Sequence, residues 1–346
     1  MGSRANYIVI EGTTAEISYA QWGALTVARE LLAGPEAAMA FARGQRTDIG
    51  LMDNVFADGG VLLDSDRRTL LFWCDGKIGH FPYLRRVLLP VLRALWPDWS
   101  VDWATQGVVD MARYLGRDPA RYVFADRYSG SFPYVGDVET LCATSDDLDG
   151  NVTILTVTHE DGRIADYSLV SEPERVMLAG PAILPVLTRK GSAPLPDERD
   201  DALQGGAYLD VAAHAIWVWE PHTIDPVYLD ALTRSWPDWS IHSHVEGLVR
   251  QVILAGRSAD SIMVPPDEAI VELADEFVDD DEEPELPEPI EAVSLDSVGD
   301  TMGQLAREDM PADSGQPNTS MLFAAPTSVE RRDALVRTFR QALTAR

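Results

Sequence analysis

Alternating and helical spacings of apolar residues divide the chain into short elements, and the same series of elements occurs twice. Tyr7 to Ile10 is rich in β-branched residues and predicts an opening strand. Glu11-Gly12-Thr13-Thr14 predicts a turn, and a second strand ends near Tyr19. Gly34-Pro35 then opens a helix over Pro35 to Arg43, because proline is tolerated in a first turn. Val61 to Leu63 and Thr69 to Trp73 predict a second hairpin around Asp64-Ser65-Asp66-Arg67-Arg68. A helix follows from about Tyr83 to Leu95, with apolar residues at helical spacing. Trp96-Pro97-Asp98-Trp99 stops it, since the residue before a proline is pushed out of the helical region. Trp99, Val101 and Trp103 alternate as on a half-buried strand, and Gln106 to Leu115 closes the unit as a helix.

The second pass through this pattern is marked by shared residues. Trp96-Pro97-Asp98-Trp99-Ser100 returns unchanged as Trp236-Pro237-Asp238-Trp239-Ser240, an offset of 140 that also relates Gly107 to Gly247 and Gly116 to Gly256. Upstream the offset is 146: it relates Leu32-Ala33-Gly34-Pro35 to Leu178-Ala179-Gly180-Pro181, Gly59-Gly60 to Gly205-Gly206, and Trp73 to Trp219. The six-residue difference falls around Cys74 to Phe81, which is therefore expected to be a loop. Ile154 to Val157, Ala207 to Leu209 and Ile216 to Trp219 repeat the strands, and Pro226 to Ser235 repeats the long helix.

The pattern predicts an α+β fold: a tandem duplication of a ββα-ββα-βα module with a mainly antiparallel sheet and helices on one face. Residues 1–145 form the first module and 150–265 the second. Residues 266–326 read as an acidic, largely disordered linker, since Asp267 to Asp300 contains no basic residue and a core, Asp279 to Pro289, too polar to order itself. Residues 327–346 predict a basic amphipathic helix that starts on a Thr327-x-x-Glu330 cap, with Val329, Leu335, Val336, Phe339 and Leu343 as its apolar stripe. It is expected to dock on its own chain or on a partner.

Composition narrows the chemistry. The formal charge of −28 argues against nucleic acid and anionic membrane surfaces, and suits a basic protein partner. No apolar run approaches the length of a spanning helix and the first residues lack an apolar signal region, so a cytoplasmic protein is expected. Cys74 and Cys142 fit free, buried thiols better than a disulfide framework. The serine-hydrolase elbow, the phosphate loop, the zinc-protease motif and the dinucleotide-binding glycine motif are all missing. Ser145 to Gly150 resembles a calcium loop only in part and reads as the turn between the copies. No cofactor and no metal is expected.

The four tryptophans of the repeated motif read as core and corner anchors, so the search for a binding site moves to features that one copy lacks. These are Trp22, the Asp53-Asn54 pair, and His214, His222, His242 and His244. On a strand, His242 and His244 would share a face, a spacing open to a metal, although no further ligand is spaced to complete a site. The favoured function is a non-enzymatic, protein-binding pair of modules; in a bacterium this would suit an immunity protein that covers a basic toxin. The alternatives are a regulatory scaffold with a tethered basic helix, and an enzyme with a site between the modules using Asp64, Asp210 or the second-copy histidines.

Overall fold

The computed structural model describes residues 3–47, 50–123, 137–144, 152–279 and 328–344. The first sheet is built from β1 (Ala5–Glu11), β2 (Thr14–Ala20), β3 (Gly59–Asp64), β4 (Thr69–Trp73) and β5 (Ser100–Trp103), in the order β2-β1-β3-β4-β5. Between them lie α1 (Gly23–Leu31), α2 (Pro35–Arg43), α3 (Gly76–His80) and α4 (Pro82–Leu95), and α5 (Val108–Tyr114) closes the unit. After a short α6 (Val138–Leu141) come β6 (Val152–Thr158), β7 (Ile164–Leu169), α7 (Pro173–Leu178), α8 (Ile183–Thr188), β8 (Leu203–Asp210), β9 (Ala215–Trp219), α9 (Pro226–Ser235), β10 (Ser240–Ser243) and α10 (Gly247–Leu254). The second sheet has the order β7-β6-β8-β9-β10, the same topology as the first. The register repeats as well, with Gly60 opposite Trp73 and Gly206 opposite Trp219.

The α+β duplication is thus present, with some differences of detail. Each sheet is mixed: its two hairpins are antiparallel, while β1 with β3 and β4 with β5, like their counterparts, run parallel. The crossover through α3 and α4 brings β5 up parallel beside β4, whereas the chain leaving β2 passes over β1 through α1 and α2 to enter β3 antiparallel to β2 and so parallel to β1. Two helices, not one, follow the first hairpin, because α1 and α7 precede the Gly-Pro pairs. The insertion around Cys74 to Phe81 contains the helical turn α3 and is not a plain loop. Most helices cover one sheet face, but α10 packs on the other, where Leu248, Val249 and Val252 meet Ile154 and Trp219.

The repeated tryptophans are structural anchors. Trp96 and Trp236 are fully buried, and their indole N–H groups donate to Leu31 O at 2.8 Å and Met177 O at 2.7 Å, residues related by the 146 offset. Asp98 and Asp238 take the left-handed turn conformation that follows each helix stop, with φ of 65° and 69°.

The copies pack through equivalent ends. Thr105 O accepts from Ile224 N–H at 2.9 Å, and Val245 O, its counterpart at an offset of 140, accepts from Arg85 Nη2 at 3.0 Å. Arg85 is fully buried in α4, yet its Nη1 also donates to Ile78 O and Gly79 O of the first copy and to Pro221 O of the second. Its guanidinium lies over the Trp103 ring, 4.9 Å from the centroid. Gly247, with φ of 65°, sits where a Cβ would come within 2.7 Å of Pro82, so the close approach there requires glycine. Alongside, Arg86 and Glu198 form a two-pronged ion pair across the modules at 2.9 and 2.6 Å.

The stretch expected to begin the acidic linker is instead ordered at its start. Residues Pro266–Asp279 form α11, which buries Ala269, Ile270, Leu273, Ala274 and Phe277. Apolar residues at helical spacing among the carboxylates give that segment a face to bury, which its charge alone conceals. Residues 280–327, with most of the acidic core, lie outside the described residues, as does the turn at Ser145 to Gly150. The last helix, α12 (Ser328–Thr344), packs on α11 and α4 with Leu335, Val336, Phe339 and Ala342 buried, and Arg332 and Arg340 pair with Asp275 and Asp267. Val329, placed on its apolar stripe, is exposed instead.

Replacing Arg85 by Met leaves buried carbonyls of both copies without donors. Urea denaturation is expected to show a loss of about 2–4 kcal/mol. A loss below about 1 kcal/mol would show that the modules are held by other contacts.

Candidate functional site

Two of the features that only one copy carries, His242 and His214, lie by the outer edge of the second sheet. In β8, β9 and β10 the register places Tyr208 opposite Trp217 and Trp217 opposite His242. Their rings stack in a row, with centroids 5.3 Å apart at 23° and then 5.1 Å apart at 21°. The row runs outward: Tyr208 is buried, with its hydroxyl against Thr158 at 3.1 Å, Trp217 is half-buried, and His242 is exposed. The corresponding positions of the first copy are Leu62, Leu71 and Asp102, which build no such row. On the same face, closer to α10, a buried polar network from Trp219 through Gln251 and Thr156 to Asp166 and Arg257 holds strands and helix in place. On the other face His214, which takes the left-handed turn position held by Arg68 in the first copy, stacks on Trp239 at 5.1 Å and 13°.

His242 ends its row at a sheet edge, and the four edges of the two sheets differ. Edge strand β2 exchanges two backbone bonds between Tyr19 and Arg46, at 2.7 and 3.2 Å. Edge strand β7 is covered by Ala143, Ser192 and Ala193, which bond Val170 N–H, Asp166 N–H and Asp166 O. In β5 the parallel pairing turns Val101 outward, and Arg93 Nε of α4 donates to its carbonyl at 3.1 Å. In β10, Ser240 N–H donates to His214 O and His244 N–H to Val218 O, so the backbone groups of Ile241 and Ser243 face away from the sheet. Thr233 stands where the first copy has Arg93, and its hydroxyl donates to Leu229 O of its own helix at 2.9 Å. Among the described residues, no hydrogen bond covers the outward groups of Ile241 and Ser243. An uncovered edge is a template for another strand, and proteins ordinarily block it.

Of the two other candidate histidines, His222 lies at the module interface and His244 is buried just beyond β10. His222 faces His80 of the first copy with centroids 5.4 Å apart. Burial, and then His80, hold the His222 imidazole below its ordinary range. The side chain of His244 is only 8% exposed and its ring nitrogens find no hydrogen-bond partner. Burial, and then Arg250, bring its pKa down to about 4. The expected metal-type spacing of His242 and His244 is therefore not used as a pair: β10 ends at Ser243, one imidazole stacks in the open and the other is buried. Among the described residues, no group of three or more His, Cys, Asp or Glu is placed to hold a metal ion.

The first-copy candidates stand apart from this edge. Trp22 is 51% exposed just before α1. Asp53 accepts from Val55 N–H and Phe56 N–H at 3.0 and 3.3 Å, and Asn54 N–H donates to Tyr122 O, so this pair builds a turn. Asp64, a candidate for chemistry between the modules, is engaged by Asp66 N–H, Arg67 N–H and the Tyr114 hydroxyl. Asp210 accepts from Ala213 N–H in the equivalent turn. Cys74 is buried, with its thiol pushed up by desolvation, and Cys142 is pushed up to about 11 by the same cause; both are free.

Compared with models of protein families, with curated proteins and with solved structures, the chain finds no match. Trp217, Tyr208 and the exchange of Arg93 for Thr233 escape a reading of the sequence, because their meaning depends on register. The one signal available beforehand was that His242 replaces Asp102 between otherwise matching residues.

His244 and His222 are held neutral in the folded state, so the unfolded chain binds protons first as pH falls. Stability is fully present above about pH 6.5, declines below it, and levels off near the folded value of about 4 for His244. Chemical denaturation from pH 7.5 to 4.5 is expected to show this decline, on the order of 2 kcal/mol, and His244→Phe is expected to flatten it. An unchanged slope in that variant would place the pH dependence elsewhere.

Proposed function

We propose that the protein is a non-enzymatic binding protein whose β10 edge takes an extended segment of another protein as an added strand. The observation that carries this reading is the contrast between β10, whose outward Ile241 and Ser243 groups are uncovered, and β5, whose equivalent carbonyl is capped by Arg93. Strand addition derives affinity from main-chain hydrogen bonds and selectivity from the side chains that flank the edge. Here those flanks are His242 with Trp217 on one face and the stacked His214 and Trp239 on the other. The acidic balance of the chain favours a basic partner and draws it in by long-range attraction. The buried thiols and the turn-forming roles of Asp64 and Asp210 give no support to a reaction centre between the modules.

A phage-displayed library of random peptides, each about nine residues long to span a strand, tests this when panned against the full chain. Binders are expected to lose about tenfold in affinity on Ser243→Pro, which removes one outward donor. Thr233→Arg, which restores the cap of the first copy, is expected to weaken them similarly. Exchange of the Ile241 and Ser243 amides is expected to slow on binding. Binders indifferent to both substitutions would overturn the reading.

A further inference from the structure

Tyr208, Trp217 and His242 are rungs of one ladder, one per strand, at spacings of 5.3 and 5.1 Å. Neighbouring strands in any sheet lie about 4.8 Å apart, so a strand added to β10 brings its own side chain to the next rung, against the outer face of His242. The ladder is planar by construction, and its last ring is exposed. We infer that the segment bound at β10 presents an arginine at this fourth rung, its guanidinium stacked flat on His242 as the continuation of the row. This rests on the strand-addition reading above and adds the chemistry of the partner to it.

Two features select arginine among flat side chains. The first is charge: Asp210 lies on the same face, while exposed Asp238 and Glu246 stand just before and just after β10, opposed on this side by Arg250 of α10. A cation is favoured over a neutral ring at that position, and the whole chain carries −28. The second is shape. A guanidinium is planar and weakly hydrated and stacks on aromatic faces, whereas an ammonium is a compact, strongly hydrated point charge that leaves the ladder without its next plane. The first copy supplies the contrast within the same molecule: with Asp102 in place of His242 and Leu71 in place of Trp217, its edge offers charge but no plane, and Arg93 of its own helix already covers it.

The test uses peptides from the display experiment whose capture depends on Ser243. Sequencing is expected to show arginine enriched at one alternate position of the strand. Synthetic versions with Arg, Lys, citrulline or Leu there are then titrated into the full chain, and Arg is expected to bind about 3- to 30-fold more tightly than each of the others. On His242→Ala this preference is expected to collapse, with the Arg peptide losing the most affinity. Equal binding of Lys would show that charge alone is read, and equal binding of citrulline that stacking alone is read; either result overturns the inference. A flat series that still responds to Ser243→Pro would reject the arginine rung and leave strand addition standing. Loss of Ser243 dependence would reject both.

Discussion

A guanidinium removed from water needs acceptors for its N–H groups, and the two terminal nitrogens of Arg85 find theirs only when both modules are in place, while its Nε–H stays without one among the described residues. Two of its acceptors belong to the first copy and two, Pro221 O and Val245 O, to the second, while the Trp103 ring covers its face. Burial lowers the pKa of this arginine to about 10, still high enough to remain charged at neutral pH. The cost of desolvating a charge thus becomes a penalty on separating the modules, since a parted interface would leave carbonyls and cation mismatched. Around this contact the copies meet through equivalent segments, with Thr105 and Val245 as paired acceptors. The third layer completes it: Glu272 of α11 accepts from Tyr83 of the first copy and pairs with Arg199 of the second.

Once the modules share an interface, their remaining surfaces are free to differ. The residues held in common are those that build each unit: the buried Trp96 and Trp236, the glycines beneath Trp73 and Trp219, and the aspartates in left-handed turns. The residues held by one copy change what a sheet edge shows to solvent. Exchanging Arg93 for Thr233 opens a strand, and exchanging Leu62, Leu71 and Asp102 for Tyr208, Trp217 and His242 lays an aromatic row up to it. Duplication of a stable module makes such divergence tolerable, because the fold needs neither the cap nor the row.

Much of the architecture was legible in advance. Strand periodicity located both hairpins of each copy, and the helix over Pro226–Ser235 and the strands Thr69–Trp73 and Ala215–Trp219 follow from spacing and the stop signal of Trp-Pro-Asp-Trp. The helices α1 and α7 were hidden because their N-cap positions, Trp22 and Glu172, hold none of the usual capping residues and make no capping hydrogen bond, and α11 because its carboxylates mask an apolar face. Of the candidate residues, His242 stands at the open edge and His214 in a neighbouring stack, while His222 meets the first copy and His244 is buried.

The sequence by itself determined that one module occurs twice, which residues both copies need, and where the copies part company, because repetition and periodicity are properties of a string. Only the tertiary structure decided which edge is open and which rings stack. Those outcomes depend on parallel register, on the reach of Arg93 from a neighbouring helix, and on which backbone groups face away from a partner strand. Each is a relation between segments far apart along the chain, set by packing and hydrogen bonding in three dimensions.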